Sequence, residues 1–112
     1  MIWIALSLFA AAAVGGLIMA LTIFSDRKPP MALALVHGAA AAAGLLLLAW
    51  VVLQGQAGMY LQAALGILVV AALGGFFLFS FHLRDKPHPK AVVGLHAVLA
   101  VCGVVALVLG LL

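Results

Sequence analysis

Four apolar runs, each long enough to cross a bilayer, leave this chain of 112 residues almost no choice of fold. Three short breaks separate them: Asp26-Arg27-Lys28-Pro29-Pro30, Gln54-Gly55-Gln56-Ala57-Gly58 and Arg84-Asp85-Lys86-Pro87-His88. Hydrophobic residues make up 70% of the chain and charged ones 6%. A water-soluble domain of this size exposes too much of its surface to hide that apolar fraction. With lipid as the solvent, backbone groups must be satisfied within the chain, by helices or by a closed barrel. The runs show no alternation of apolar and polar residues, so helices are expected. The reading is all-α, a single transmembrane domain over residues 1–112 with spans Ile2–Ser25, Pro30–Leu53, Met59–Leu83 and Pro89 to the C-terminus. Proline cannot continue a helix but is well suited to open one, so Pro30 and Pro89 mark starts. At 1.5 Å per residue each span reaches roughly 35 Å, enough to cross the hydrocarbon with some tilt. The first run has no Lys or Arg ahead of it and outlasts the apolar core of a signal peptide, so it is read as a permanent span.

The charges orient the spans. Arg27, Lys28, Arg84, Lys86 and Lys90 are all the basic residues, set against two aspartates for a net charge of +3. All lie in or beside the first and third breaks, and the middle break is uncharged. The positive-inside rule then puts both termini outside and the basic loops in the cytoplasm, as in a bacterial-type inner membrane. Trp3, Trp50 and Tyr60 fall at the opposite boundary, where amphipathic rings settle. The basic residues are not interleaved with aromatics in any nucleic-acid motif, so nucleic acid is excluded as a partner. A lone cysteine, Cys102, rules out an internal disulfide and is expected to be a small core residue. The chain has no Glu, no Cys pair, no phosphate-cradling loop and no Ser-His-Asp set on plausible faces. Hydrolytic catalysis is therefore not expected, and any enzymatic role would be electron transfer by a cofactor.

The chain also repeats. His37, Ala41, Gly44 and Leu48 form one helical stripe, spaced i, i+4, i+7, i+11. The same residue types return as His96, Ala100, Gly103 and Leu107, an offset of 59 (96 minus 37). Asp26, Pro30 and Ala32 match Asp85, Pro89 and Ala91, and Ala12 and Gly15-Gly16 match Ala71 and Gly74-Gly75. Residues 1–53 and 60–112 thus read as two tandem helical hairpins. Units of two spans insert with one orientation, giving a parallel repeat about an axis along the membrane normal. Short connections favour an up-down-up-down bundle, in which the second and fourth helices are diagonal partners and His37 faces His96. Both histidines lie seven residues beyond the opening proline, about 10 Å down the helix. An ionisable residue at that depth marks a functional site by default.

Three readings compete for the pair. In the first, the imidazoles hold a haem iron from both faces. Ala41, Gly44, Ala100 and Gly103 would clear space for a flat ring, as would Gly16 and Gly75 on the first and third helices, where helix packing alone explains them equally well. Arg27, Lys28, Arg84 and Lys90 would meet the haem carboxylates. On these residues the chain resembles membrane cytochromes of the b type, whose haem sits inside a four-helix bundle. In the respiratory-chain cytochrome b the ligand histidines come from the second and fourth helices, as His37 and His96 do here. That family carries a second histidine further along each ligand helix. This chain has none there, so the resemblance implies a single haem b, near the cytoplasmic side, exchanging electrons with quinone or a larger redox complex. Another macrocycle, such as a chlorophyll, would suit the same imidazoles.

In the second reading the histidines only tie helices together, and the chain is a cofactor-free accessory subunit. In the third, His37, His96, His82 and His88 bind or move a transition-metal ion. No carboxylate lies within a span, which counts against proton-coupled transport. His82 and His88 fall outside the repeat and are expected to be partly solvated at the interface, with His82 the candidate helper for a quinone or partner. The phenylalanines Phe76, Phe77, Phe79 and Phe81 are expected to form a lipid or packing face. A homodimer would offer another arrangement, His37 against its own copy.

Overall fold

Each apolar run folds as one helix in the computed structural model, which describes residues 1–112. The helices are α1 (Ile2–Phe24), α2 (Met31–Leu53), α3 (Met59–Leu83) and α4 (Lys90–Leu111). All four are long and apolar enough to cross a membrane, which suggests a multi-pass membrane protein. α1 stops one residue short of the expected Ser25. Pro30 and Pro89 are extended N-cap residues rather than first helical ones, with ψ of 141° and 113°.

Only 16 of the 112 residues are buried, and the exposed set includes Leu17, Leu46, Phe76 and Val101. In water so continuous an apolar surface would drive association. Against lipid tails, which are as apolar as leucine, exposure of these side chains is nearly free, consistent with a bilayer as solvent. Cys102 belongs to this outer surface, not to the core expected for it.

α1 and α3 end in the same way. The Arg27 N–H donates to the Thr22 carbonyl and the Asp26 N–H to Ile23; the Lys86 N–H donates to Phe81 and the Asp85 N–H to His82. Paired six-to-one and five-to-two bonds of this kind form a Schellman motif, which needs a left-handed residue. Asp26 (φ 60°) and Asp85 (φ 53°) take that conformation, which aspartate tolerates better than most side chains. The turns carry crossed ion pairs, Lys28 Nζ to Asp85 at 2.6 Å and Lys90 Nζ to Asp26 at 2.7 Å. The two charged loops therefore meet at one end of the molecule.

α1 packs closely on α2, and α3 on α4, while the α2–α3 and α1–α4 seams are much thinner. α2 and α4 are not neighbours. Inside, two apolar layers form. Ala5, Phe9, Leu48, Ala64, Leu68 and Leu107 fill the end away from the charged loops, and Ile23, Leu78 and Val93 form a smaller layer beside them. Along α1 and α3 the stretch between these layers is made of Ala12 to Gly16 and Ala71 to Gly75. Small side chains leave room there, and two imidazoles occupy it.

Candidate functional site: the intramembrane histidine pair

His37 projects from α2 and His96 from α4, yet the two rings meet across the bundle. Their centroids are 6.4 Å apart and their planes cross at 79°. What lets them reach is the absence of side chains on the flanking helices. A Cβ added at Gly16 would stand 2.9 Å from His37 Cε1, and one at Gly75 would stand 3.2 Å from His96 Cε1. Gly15 and Gly74 pack beside the same two rings. The glycine pairs of α1 and α3 are thus seats for imidazole.

The hydrogen bonding of the two rings differs. His37 Nδ1 lies 2.7 Å from the Ala12 carbonyl oxygen. A carbonyl only accepts, so Nδ1 carries the proton and donates, and Nε2 keeps its lone pair. That lone pair has no hydrogen-bond partner in the protein. For His96 the matching carbonyl is that of Ala71, which faces the ring. It does not meet Nδ1 in bonding geometry: His96 Nδ1 is the one buried side-chain polar atom without a partner. Beside it a groove of about 330 Å³ opens between α3 and α4, lined by Val70, Ala71, Gly74, Val92, Leu95 and His96 among others.

The remaining candidate residues divide. Gly44 and Gly103 are buried, but side chains of the neighbouring helices cover them. Phe9 carbons lie 3.1 Å from where a Gly44 Cβ would stand, and Leu68 carbons lie 2.6 Å from that of Gly103. Phe9 and Leu68 are themselves 59 positions apart (68 minus 9), a signal hidden in the sequence because the two residue types differ. Ala41 and Ala100 are half-buried. Lys28 and Lys90 are committed to the crossed ion pairs. Arg84 folds back, donating to the Ser80 carbonyl and hydroxyl with its guanidinium 4.6 Å from the Phe81 ring centroid. Arg27 makes no ion pair.

His82 corrects its expectation. It is 3% exposed, the one buried polar side chain, rather than a solvated interfacial one. It stacks on Phe79, with centroids 6.0 Å apart, and meets His88 edge-on at 5.7 Å. The four histidines therefore form two separate pairs. No group of three or more His, Cys, Asp or Glu side chains is arranged to hold a metal ion. His88 is half-buried, and desolvation, then His82 and Lys28, hold its pKa below the ordinary imidazole value. Lys28, hydrogen-bonded to Asp85, holds that carboxyl below its usual range.

Comparison with known proteins finds no matching family model, no matching curated protein and no matching solved structure.

Proposed function

We propose that this chain is a small membrane haem b protein that carries electrons, with His37 and His96 as the residues that would hold the haem. One observation carries the reading: an imidazole inside an apolar layer whose Nδ1 proton is tied to the Ala12 carbonyl and whose Nε2 lone pair is left over. Metal-bound histidines are held in this way, one nitrogen oriented by a backbone carbonyl and the other free to ligate. The separation of the rings supports it. Their centroids are 6.4 Å apart, near enough for both side chains to hold one group between them. His37 and His96 would hold the iron, with Gly15, Gly16, Gly74 and Gly75 keeping the flanking helices clear of the rings. The bound haem would supply one-electron chemistry; the protein supplies ligation, a dry site and orientation.

The finer architecture belongs to the same reading. Two tandem hairpins form an up-down-up-down bundle, and the period of 59 reflects an internal repeat. The closer packing within α1–α2 and α3–α4 than between them supports that division. The basic loops face the cytoplasm of a bacterial-type membrane and both termini lie outside. Quinone or a redox complex is the exchange partner.

A cofactor-free structural subunit is the second reading, and a specific observation favours it. Phe9 and Leu68 fill the faces of Gly44 and Gly103, where a flat ring would otherwise extend. The His37–Ala12 bond is then an ordinary interhelical tie.

Absorption spectra of the purified protein, made with ample haem and then reduced, separate the two. The haem reading expects a sharp α band in the reduced wild type and its loss in both His37→Ala and His96→Ala. A colourless wild type hands the function to the structural reading. A band unchanged by either substitution removes these histidines as ligands.

A further inference from the structure

The second histidine pair is also a candidate site, independent of any haem. α3 delivers His82 in its last turn, and the Schellman motif then reverses the chain. His88, six residues on, comes back against the same ring: the centroids are 5.7 Å apart and the planes cross at 63°. Both imidazoles are held. His82 is 3% exposed and stacked on Phe79, with planes inclined by only 21°. His88 sits between Pro87 and Pro89, which restrict the backbone on either side. Yet neither ring makes a hydrogen bond to the protein. Four ring nitrogens, on two side chains that packing has already ordered, lack a protein partner at the charged end of the molecule.

We propose that His82 and His88 form a two-imidazole binding site for a divalent transition ion of the zinc–copper–nickel group. With metal–nitrogen bonds of about 2.0–2.1 Å, two imidazoles on one tetrahedral ion have centroids roughly 5 Å apart, and on opposite sides of an ion roughly 6 Å. The observed 5.7 Å lies in that range. Imidazole selects zinc, copper and nickel over magnesium and calcium, which prefer oxygen. Lys28, whose charge opposes a cation at this site, is paired with Asp85, which offsets part of that repulsion. No third His, Cys, Asp or Glu converges on the pair, so water fills the remaining positions. An ion held by two protein ligands exchanges readily, which suits acquisition or sensing better than permanent structure.

The test titrates Zn2+ by calorimetry, and Co2+ by its visible absorption, into the full chain in detergent with a tag that contains no histidine. One saturable equivalent that depends on His88 is expected, undiminished by excess Mg2+. His88→Ala, in the loop and harmless to the helices, should weaken binding at least about tenfold, and His88→Cys, which restores a ligand, should recover it. His37→Ala and His96→Ala should leave the affinity unchanged. His82→Asn should weaken it in a sample whose elution volume and helicity match the wild type. Absence of saturable binding, equal affinity in His88→Ala, or displacement by Mg2+ would each overturn the proposal.

Discussion

The two hairpins carry the same histidine, alanine and glycine residues at several matched positions, but they do not make the same site. In α1–α2, His37 is seated against Gly16 and tied to the Ala12 carbonyl. In α3–α4, His96 has the same seat at Gly75, but its Nδ1 is orphaned and a groove opens beside it. The small residues opposite also differ: Gly44 is covered by an aromatic ring and Gly103 by a branched aliphatic side chain. Only the second hairpin carries the additional pair, His82 and His88. The difference teaches that matched residues need not be matched in bonding: the first imidazole has its Nδ1 proton anchored and its Nε2 free, whereas the second has a buried Nδ1 with no partner.

The largest effect should come from the core layer away from the charged loops. A Cβ at Gly103 would stand 2.6 Å from Leu68 Cγ, an atom near the base of its side chain that moves only if the whole side chain changes rotamer in a packed layer. Overpacking of this kind costs about 1–3 kcal/mol. At Gly44 the equivalent contact is 3.1 Å, to the far side of the Phe9 ring. There the better helix propensity of alanine, about 1 kcal/mol, offsets much of the strain. Thermal unfolding in detergent should therefore show a clear loss for Gly103→Ala and little change for Gly44→Ala. Equal losses would mean that the two glycine contacts are equivalent after all.

The imidazole seats come next. Gly16→Ala pushes on the His37 ring and breaks a formed bond, whereas Gly75→Ala pushes on a ring with no Nδ1 bond to lose. An interhelical hydrogen bond in a membrane bundle contributes about 0.6 kcal/mol and at most about 1.7. Gly16→Ala should be the more destabilising by about that much. The same asymmetry predicts the histidines themselves in haem-free protein. His37→Leu should lower stability by about 0.6 kcal/mol, and His96→Leu should be neutral or stabilising, because it removes a buried unpaired group. A larger loss from His96→Leu would show that its Nδ1 finds a partner in the membrane.

How much of this was legible beforehand follows from what each feature depends on. The helices were legible to within a residue because their ends are set locally, by Pro30, Pro89 and the charged breaks. That His37 faces His96 was expected from their matched positions on alternate helices, and the two rings do meet. The contents of the Gly44 and Gly103 faces were not. They depend on how α1 and α3 are rotated, and helices apolar on every side give no periodicity from which to read rotation. The His82–His88 pair was hidden for a different reason. It needs a left-handed residue at Asp85, and no glycine announces the turn. The crossed ion pairs were hidden too, because Lys28 and Lys90 are not matched positions: 28 plus 59 is Pro87.

Those ion pairs give the smallest effect, and one on which the two hairpins should agree. Each joins a lysine of one charged loop region to the left-handed aspartate of the other. The aspartate side chains are 81% and 82% exposed, so water and salt screen the attraction. Lys28→Ala and Lys90→Ala should each lower the unfolding midpoint less than Gly16→Ala does, by similar amounts, and the difference from wild type should vanish in high salt. At Asp85 two contributions separate by substitution. Asp85→Gly loses the ion pair but suits the left-handed backbone, whereas Asp85→Ala loses the pair and suits it less well, so alanine should be the worse change. The pH dependence has a fixed sign. Lys28 lowers the Asp85 pKa from its ordinary 3.8, so the folded state binds the proton less readily than the unfolded chain. The stabilisation is therefore fully present above that ordinary value and fades as the pH falls through the lower, folded one. Lys28→Ala should remove this acid sensitivity of Asp85, and an unfolding midpoint that still fell in the same acid range in that variant would show that the Lys28–Asp85 pair is not its source.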